Sequence, residues 1–353
     1  MHLEFEQLGN KRKSRSLRKA LLAILLIAGV LGSGIVYFIL FVDNTSSTEN
    51  EVFYIRTDDS YDQVRRNLVY LGIVKNPQTF DLVAEQMNLP NTYKAGKYKI
   101  KEGLSNVELI RKIRSGDWEN TEVTLKIEMT RDQVVETIAS SLQCEQSEIT
   151  DALNGEGISV NGFTNEDKWS IFLPDKYYFN WATTGEKAVA RFLSEYNKFW
   201  TANRISKTKK LGLTTKEVCI LASIVDGEAI HVAEMPIIAG LYLNRLKKGI
   251  LLQADPTVLY VVGREGRKRV LNKDLKSDHP YNTYRNIGLP PGPIFLPDKR
   301  AIDAVLSPAN HNYIYMCAKP DESYYHNFTA SISQHNRNAA AYRRSLDRQG
   351  VRR

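Results

Sequence analysis

The chain has 353 residues, 42% of them hydrophobic and 25% charged, with a formal net charge of +8. This composition excludes a largely disordered chain and leaves room for two or three folded domains. Lys11, Arg12, Lys13, Arg15, Arg18 and Lys19 stand against Glu4 and Glu6 within residues 1–19, so half of the excess charge sits in a short tail. The body is then too weakly basic for a nucleic-acid-binding surface.

Ala20 to Val42 is uncharged and strongly apolar. At a helical rise of about 1.5 Å per residue it spans about 34 Å, against a hydrocarbon core of roughly 30 Å. The basic tail (1–19) precedes this transmembrane helix (20–42), and Asp43 and Glu49 follow it. The positive-inside rule therefore predicts a cytoplasmic tail, with everything after Val42 on the outer face of the cytoplasmic membrane. A cleaved signal peptide is the competing reading. Its apolar core would be shorter, and Leu40-Phe41-Val42 lacks the small residues of a cleavage site.

Residues 43–51 are polar and read as a linker. Residues 52–117 then read as a strand from Val52, a helix capped by Ser60 and Gln63, a second helix after Pro77, and a strand through Gly96. A third helix, capped by Ser105 and Glu108, closes at Gly116. The strand–helix–helix–strand order resembles a LysM-like module, a fold that often holds glycan; a plain spacer domain has the same pattern.

Residues 118–205 read as a connecting α+β subdomain. It holds a strand at Val123 to Ile127, a helix capped by Thr130 and Gln133, an aromatic stretch from Ser170 to Phe179, and a helix from Lys187 to Trp200. The remaining residues, 206–353, carry the most informative pattern. Thr214 and Glu217 form a capping box, and Val218, Leu221, Ala222 and Val225 recur at helical spacing. Glu228 follows three residues after Val225, on or beside that apolar face, at the helix C-terminus. Burial and the helix dipole both disfavour its charge, which predicts a raised pKa and a protonated acid near neutral pH. Spacing alone leaves open a solvent-facing Glu at a frayed helix end.

A second helix is expected from Pro236 to Lys248, closed by Gly249, with Asn244 and Arg245 either lining a cleft or, as spacing alone favours, on its wet side. Asp255-Pro256 reads as a cap followed by a first-turn proline, so Asp255 is expected as an N-cap. Gly263 to His279 reads as a charged loop, and Tyr281 to Ile294 as a stiff proline- and glycine-rich strip suited to the wall of a polysaccharide groove. The tail reads as a helix (Lys299 to Leu306), a strand (Tyr313 to Ala318) and a helix (Ser331 to Leu346). Cys144, Cys219 and Cys317 form no C-x-x-C pair and read as small hydrophobes. The six histidines include no H-E-x-x-H, and neither a metal nor a cofactor is expected.

Several of these residues recur together in one family. Leu221-Ala222-Ser223-Ile224-Val225, Glu228, Asn244-Arg245-Leu246, Gln253-x-Asp255-Pro256-Thr257-Val258, Tyr281-Asn282-Thr283-Tyr284, Gly288-Leu289-Pro290-Pro291-Gly292-Pro293-Ile294 and His335-Asn336 follow in order through residues 213–346. In this the chain resembles the endolytic murein transglycosylases (MltG, YceG-like). The resemblance implies an α+β fold: one N-terminal transmembrane helix, a LysM-like βααβ module, and a mainly helical, lysozyme-like catalytic domain with small β elements. It implies Glu228 as the single catalytic residue, cutting the β-1,4 bond between N-acetylmuramic acid and N-acetylglucosamine with formation of a 1,6-anhydro ring. Gln253, Asn282 and Tyr284, with Tyr281 and Thr283 beside them, are the residues expected to hold N-acetyl and hydroxyl groups. The expected partners are peptidoglycan glycan strands, the membrane, and peptidoglycan synthases such as penicillin-binding proteins.

The chain departs from the family at one corner. Where the pattern has Glu-Lys-Glu-Thr, it has Asp226-Gly227-Glu228-Ala229. Gly227 is expected to loosen the last helical turn, and the threonine's hydroxyl must be replaced from elsewhere. A non-catalytic, membrane-anchored glycan-binding scaffold is therefore the other function class.

Overall fold

The computed structural model describes residues 2–46, 52–155, 162–263 and 270–348, with side chains from Leu17 onward. They form two units, residues 1–121 with 180–182, and residues 122–179 with 183–353.

The first unit begins with helix α1 (His2–Phe41). Its segment Leu17–Phe41 is long and apolar enough to cross a membrane, with mean hydropathy 2.5 and none of it buried against protein. After Val42 the chain is tied down at once. The Asn44 backbone donates to Leu104 O at 2.8 Å, its side-chain amide to Asn106 Oδ1 at 2.6 Å, and the Thr45 hydroxyl to Lys101 O at 2.8 Å. Residues 43–46 are thus part of the folded unit, while 47–51 lie outside the described residues. Strands β1 (Val52–Ile55) and β2 (Gly96–Lys99) pair antiparallel, with Phe53 opposite Tyr98. Between them run helices α2 (Tyr61–Tyr70) and α3 (Pro77–Gln86), and α4 (Asn106–Ser115) follows. The predicted capping boxes of Ser60 and Ser105 are both formed. Phe53, Leu68, Phe80, Tyr98 and Ile110 meet in a core of the unit's own.

The second unit carries strands β3 (Asn120–Leu125) and β4 (Asp175–Asn180), which pair, and helices α5 (Arg131–Ser141), α6 (Gln146–Asn154), α7 (Gly185–Phe199) and α8 (Ala202–Leu211). Next come α9 (Thr215–Glu228), α10 (Met235–Lys247), α11 (Asp255–Val262) and α12 (Lys299–Leu306). A hairpin, β5 (Tyr315–Ala318) with β6 (His326–Thr329), and helix α13 (Ile332–Arg348) complete it. Helices α6 and α8 and strands β4 and β6 have no counterpart in the reading of the sequence. Residues 118–205 and 206–353, read separately there, supply a single core running from Val123 and Phe172 to Val225, Leu241 and Val305.

Helix α9 is the axis of this unit. The sequence suggests one apolar face, but every residue from Val218 to Asp226 is buried. A helix apolar on nearly all sides must be surrounded, and α8, α10, α11, α12 and a short 3-10 turn at Asp167–Ile171 pack around it. The Tyr281–Ile294 strip lies against it in irregular structure, pinned where Ile294 N donates to Ser223 Oγ at 3.1 Å.

Candidate active site

The Thr214–Glu217 capping box starts α9: Thr214 N donates to Glu217 Oε2 at 2.7 Å, and Glu217 N to Thr214 Oγ1 at 3.2 Å. The last residue of the same helix is Glu228, half-buried, with Oε1 accepting a hydrogen bond of 2.8 Å from the Tyr242 hydroxyl. Tyr242 is itself buried, on α10. Burial raises the Glu228 pKa from its ordinary 4.5 to about 8, and the charge of Asp255 pushes the same way. The Tyr242 bond and the Arg245 guanidinium pull it back in part. A carboxyl group so held keeps its proton at neutral pH and can give it up during a reaction.

The two residues before Glu228 have different work. Asp226 is buried, and its Oδ2 accepts from Asp298 N at 2.9 Å, at the start of α12. Burial raises its pKa to about 6, against the pull of that N–H. Gly227 does more than loosen the turn. A Cβ built on it would lie 2.9 Å from Pro256 Cβ and 3.2 Å from Phe295 Cζ. The end of α9 is pressed flush against the start of α11 and the proline-rich strip, and only a residue without a side chain fits.

Glu228 opens into a cavity of about 460 Å³. One wall comes from α10 and α11 with their flanks: Tyr242, Arg245, Gln253, Asp255 and Tyr284. The β5–β6 hairpin contributes Met316, Cys317 and His326, and α13 contributes His335 and Tyr342.

Of the substrate-holding residues expected from the sequence, Gln253 and Tyr284 reach this cavity. Gln253 has φ +53°, in the left-handed region, which costs a residue with a side chain about 1–2 kcal/mol. Its backbone N–H donates to Thr283 O at 3.1 Å, which fixes that conformation. The other three are placed elsewhere. Asn282 is fully buried; its amide donates to Leu275 O and Ser277 O, and its Oδ1 accepts from Tyr284 N. Thr283 Oγ1 accepts from Ala254 N at 3.0 Å. The Tyr281 hydroxyl meets Arg131 Nη2 at 2.6 Å, with its ring against Tyr260. These groups are used in shaping and joining the two segments that carry Gln253 and Tyr284.

Three other expectations change. Asp255 is not the N-cap of α11, a position taken by Ala254; it is the first helical residue, and its Oδ1 accepts from the Tyr284 hydroxyl at 2.6 Å. Arg245 is not on a wet face. It is buried, with Nε on Ile314 O at 2.6 Å, Nη1 on Leu252 O at 2.7 Å, and a longer contact to Gln253 Oε1 at 3.3 Å. Asn244 is spent on His311 O and Tyr313 O. A polar pair in an apolar helix therefore marks the joint between α10 and the hairpin, because buried carbonyls need donors. Cys144 and Cys219 are buried as expected, while Cys317 is half-exposed in the cavity wall.

Tyr242, His326, His335 and Tyr342 also line the cavity and were given no role from the sequence. Tyr242 was traceable in principle, as a lone hydroxyl in the most apolar part of α10. His326 was not, since its partner Glu234 lies 92 residues back along the chain.

A mixed helix-and-strand scaffold thus places a carboxyl group of raised pKa in a polar, tyrosine- and histidine-lined cavity. The chain belongs to the YceG-like family, whose sequence model matches residues 53–341. The endolytic murein transglycosylase of Bacillus subtilis (strain 168) is 28% identical over 289 residues, covering 76% of this chain and 78% of that protein. The endolytic murein transglycosylase of Streptococcus pneumoniae serotype 2 (strain D39) is 25% identical over 354 residues, covering 91% of this chain but 63% of that longer protein. A crystal structure of a yceG-like protein from Listeria monocytogenes shares the fold, with TM-score 0.54 at 22% identity over 82% of this chain and 99% of that one.

Proposed function

We propose that this protein is a membrane-anchored lytic transglycosylase that cuts the β-1,4 bond between N-acetylmuramic acid and N-acetylglucosamine in nascent peptidoglycan. The observation that carries the reading is Glu228, which keeps a proton near neutral pH at the edge of the cavity. The names of the relatives from Bacillus subtilis and Streptococcus pneumoniae support it.

In the first step Glu228 protonates the glycosidic oxygen as the bond to C1 of the muramic sugar breaks. The Tyr242 hydroxyl donates to Oε1, and the Asp255 backbone N–H also acts on this carboxyl group. Glu228 is now a carboxylate, and the Tyr242 hydrogen bond stabilises its charge. In the second step it takes the proton from the C6 hydroxyl of that sugar. O6 attacks C1, closes the 1,6-anhydro ring, and Glu228 is protonated again. One carboxyl group thus serves as acid and then as base, with no water consumed. Gln253 and Tyr284 are the proposed contacts for N-acetyl and hydroxyl groups.

Leu17–Phe41 would hold the enzyme in the cytoplasmic membrane, with the basic tail in the cytoplasm and everything after Val42 outside. The β1-α2-α3-β2 order suits a LysM-like module that guides glycan. Cleavage near the membrane would end strand elongation beside the synthases.

One observation favours a second reading. Asp255 brings another carboxylate into the cavity, and a pair of carboxyl groups is the equipment of a hydrolase. Mass spectrometry of the products separates the readings. The transglycosylase releases 1,6-anhydro-muramic ends, whereas a hydrolase releases reducing ends. A scaffold releases neither and still binds glycan.

A further inference from the structure

We propose that His326 is a glycan-contacting residue of the cleavage cavity, its ring oriented by Glu234 to hydrogen-bond a sugar hydroxyl or N-acetyl group. This deepens the transglycosylase reading and rests on it.

The argument begins with a buried carboxyl group that the proposed reaction does not use. Glu234 lies in the short turn (Val232–Glu234) between the end of α9 and α10, and its side chain is 5% exposed. Both of its oxygens are spent on one residue. Oε1 accepts from His326 N at 2.8 Å, and Oε2 meets His326 Nδ1 at 2.9 Å. A carboxylate only accepts, so Nδ1 carries a proton, and Nε2 is the ring nitrogen left for a ligand. Among the described residues no group meets Nε2, and the ring lines the same cavity as Glu228.

The corner that follows Glu228 holds the hairpin at a second point. His231 Nε2 meets Ser323 O at 2.8 Å, and its ring stacks on Tyr325 at 3.9 Å. One turn of six residues therefore sets the acid and the hairpin in register. If fixing the hairpin were the whole purpose, the His326 backbone bond and the His231 stack would serve. A buried carboxylate aimed at a ring nitrogen does something more specific: it selects the tautomer and orients the ring, as such partners do for metal-bound and catalytic histidines. The cavity then has the Glu228 carboxyl on one wall and the His326 ring on another.

The test uses the full chain and uncrosslinked glycan strands released from sacculi by amidase. In the Glu228→Gln protein labelled with ¹⁵N-histidine, the His326 Nε2 resonance is expected to move when strands are added; an unmoved resonance with strands bound overturns the proposal. Kinetics give a second readout. Removing His326 alone strands a buried charge, so the double substitution Glu234→Leu with His326→Phe is the better probe, since it replaces the pair by apolar contacts. The backbone N–H of residue 326 loses its acceptor in this variant, so Tm is expected to fall somewhat. The variant is still expected to form anhydro ends, with kcat/KM lowered about tenfold, the scale of one lost hydrogen bond in a closed site. Wild-type kcat/KM in that variant would make the pair a structural staple and overturn the proposal. Wild-type protein that releases no anhydro ends defeats the transglycosylase reading instead, a result distinguishable from either.

Discussion

The Tyr242 hydroxyl donates to Glu228 Oε1 at 2.8 Å across the α9–α10 packing, and Tyr242 is buried. Ala229, which stands where the family pattern has a threonine, brings no hydroxyl to this corner. The Tyr242 bond favours the charged form of Glu228 against the burial that opposes it. In Tyr242→Phe the carboxylate loses that support, so the Glu228 pKa is expected to rise above its present value of about 8. The alkaline limb of the pH–kcat profile then moves to higher pH. At neutral pH kcat is expected to fall about tenfold, because the base form needed in the second step is harder to reach. A pH–rate series on the two proteins reads both effects.

Glu228→Gln is expected to abolish cleavage, and its stability profile tests the pKa independently of activity. The folded pKa of about 8 lies above the ordinary 4.5, so between those values the folded protein holds a proton that the unfolded chain has released. Stability from this group is therefore fully present below about pH 4.5 and declines as pH rises through 8. Asp226, raised from 3.8 to about 6, adds a slope of the same sign over a lower window. Glutamine cannot ionise. The Tm of Glu228→Gln should match wild type near pH 4 and exceed it increasingly toward pH 9, with the Asp226 slope retained in both. Parallel Tm profiles would show that Glu228 titrates as an ordinary surface carboxyl.

Gly227 sets two effects against each other. Alanine there would gain about 1 kcal/mol of helix propensity. Its Cβ would sit 2.9 Å from Pro256 Cβ and 3.2 Å from Phe295 Cζ, and overpacking of that kind costs about 1–3 kcal/mol. Both neighbours are stiff, so the clash is expected to win. Gly227→Ala should lower Tm, and it should lower kcat by displacing the last turn that carries Glu228. A Tm rise would mean that the contact relaxes without cost.

What the sequence made legible and what it did not divide along sequence distance. The caps at Ser60, Ser105, Thr130 and Thr214 are local devices of four residues, and all four formed. Glu228 was legible because helical spacing and a family motif agree on it. The misreadings concern groups whose partners are far along the chain. Asp255 read as a cap because Asp-Pro is a local signal, yet its partner is Tyr284, 29 residues on. Arg245 read as solvent-facing because a charge in a helix usually is, yet its acceptors include Ile314 O, 69 residues away. Strand β6 is four residues whose pairing with β5 no local pattern encodes, so His326 and its link to Glu234 stayed hidden.

Asp255 supplies the last prediction, because the two readings of its carboxylate diverge. It lines the cavity beside Glu228, holds the Tyr284 hydroxyl at 2.6 Å, and its charge helps to raise the Glu228 pKa. Asp255→Asn removes that charge and leaves an oxygen able to accept from Tyr284. The Glu228 pKa should then fall, and the alkaline limb of the kcat profile should move to lower pH, opposite in sign to Tyr242→Phe. If Asp255 acts only through this field and by steadying positive charge at C1, the variant still releases anhydro ends, at a reduced rate. If it activates water, wild type releases reducing ends, and the variant loses them. Product analysis by mass spectrometry at two pH values decides between these outcomes, because the field effect changes the rate with pH while the water-activating role changes which sugar end is made.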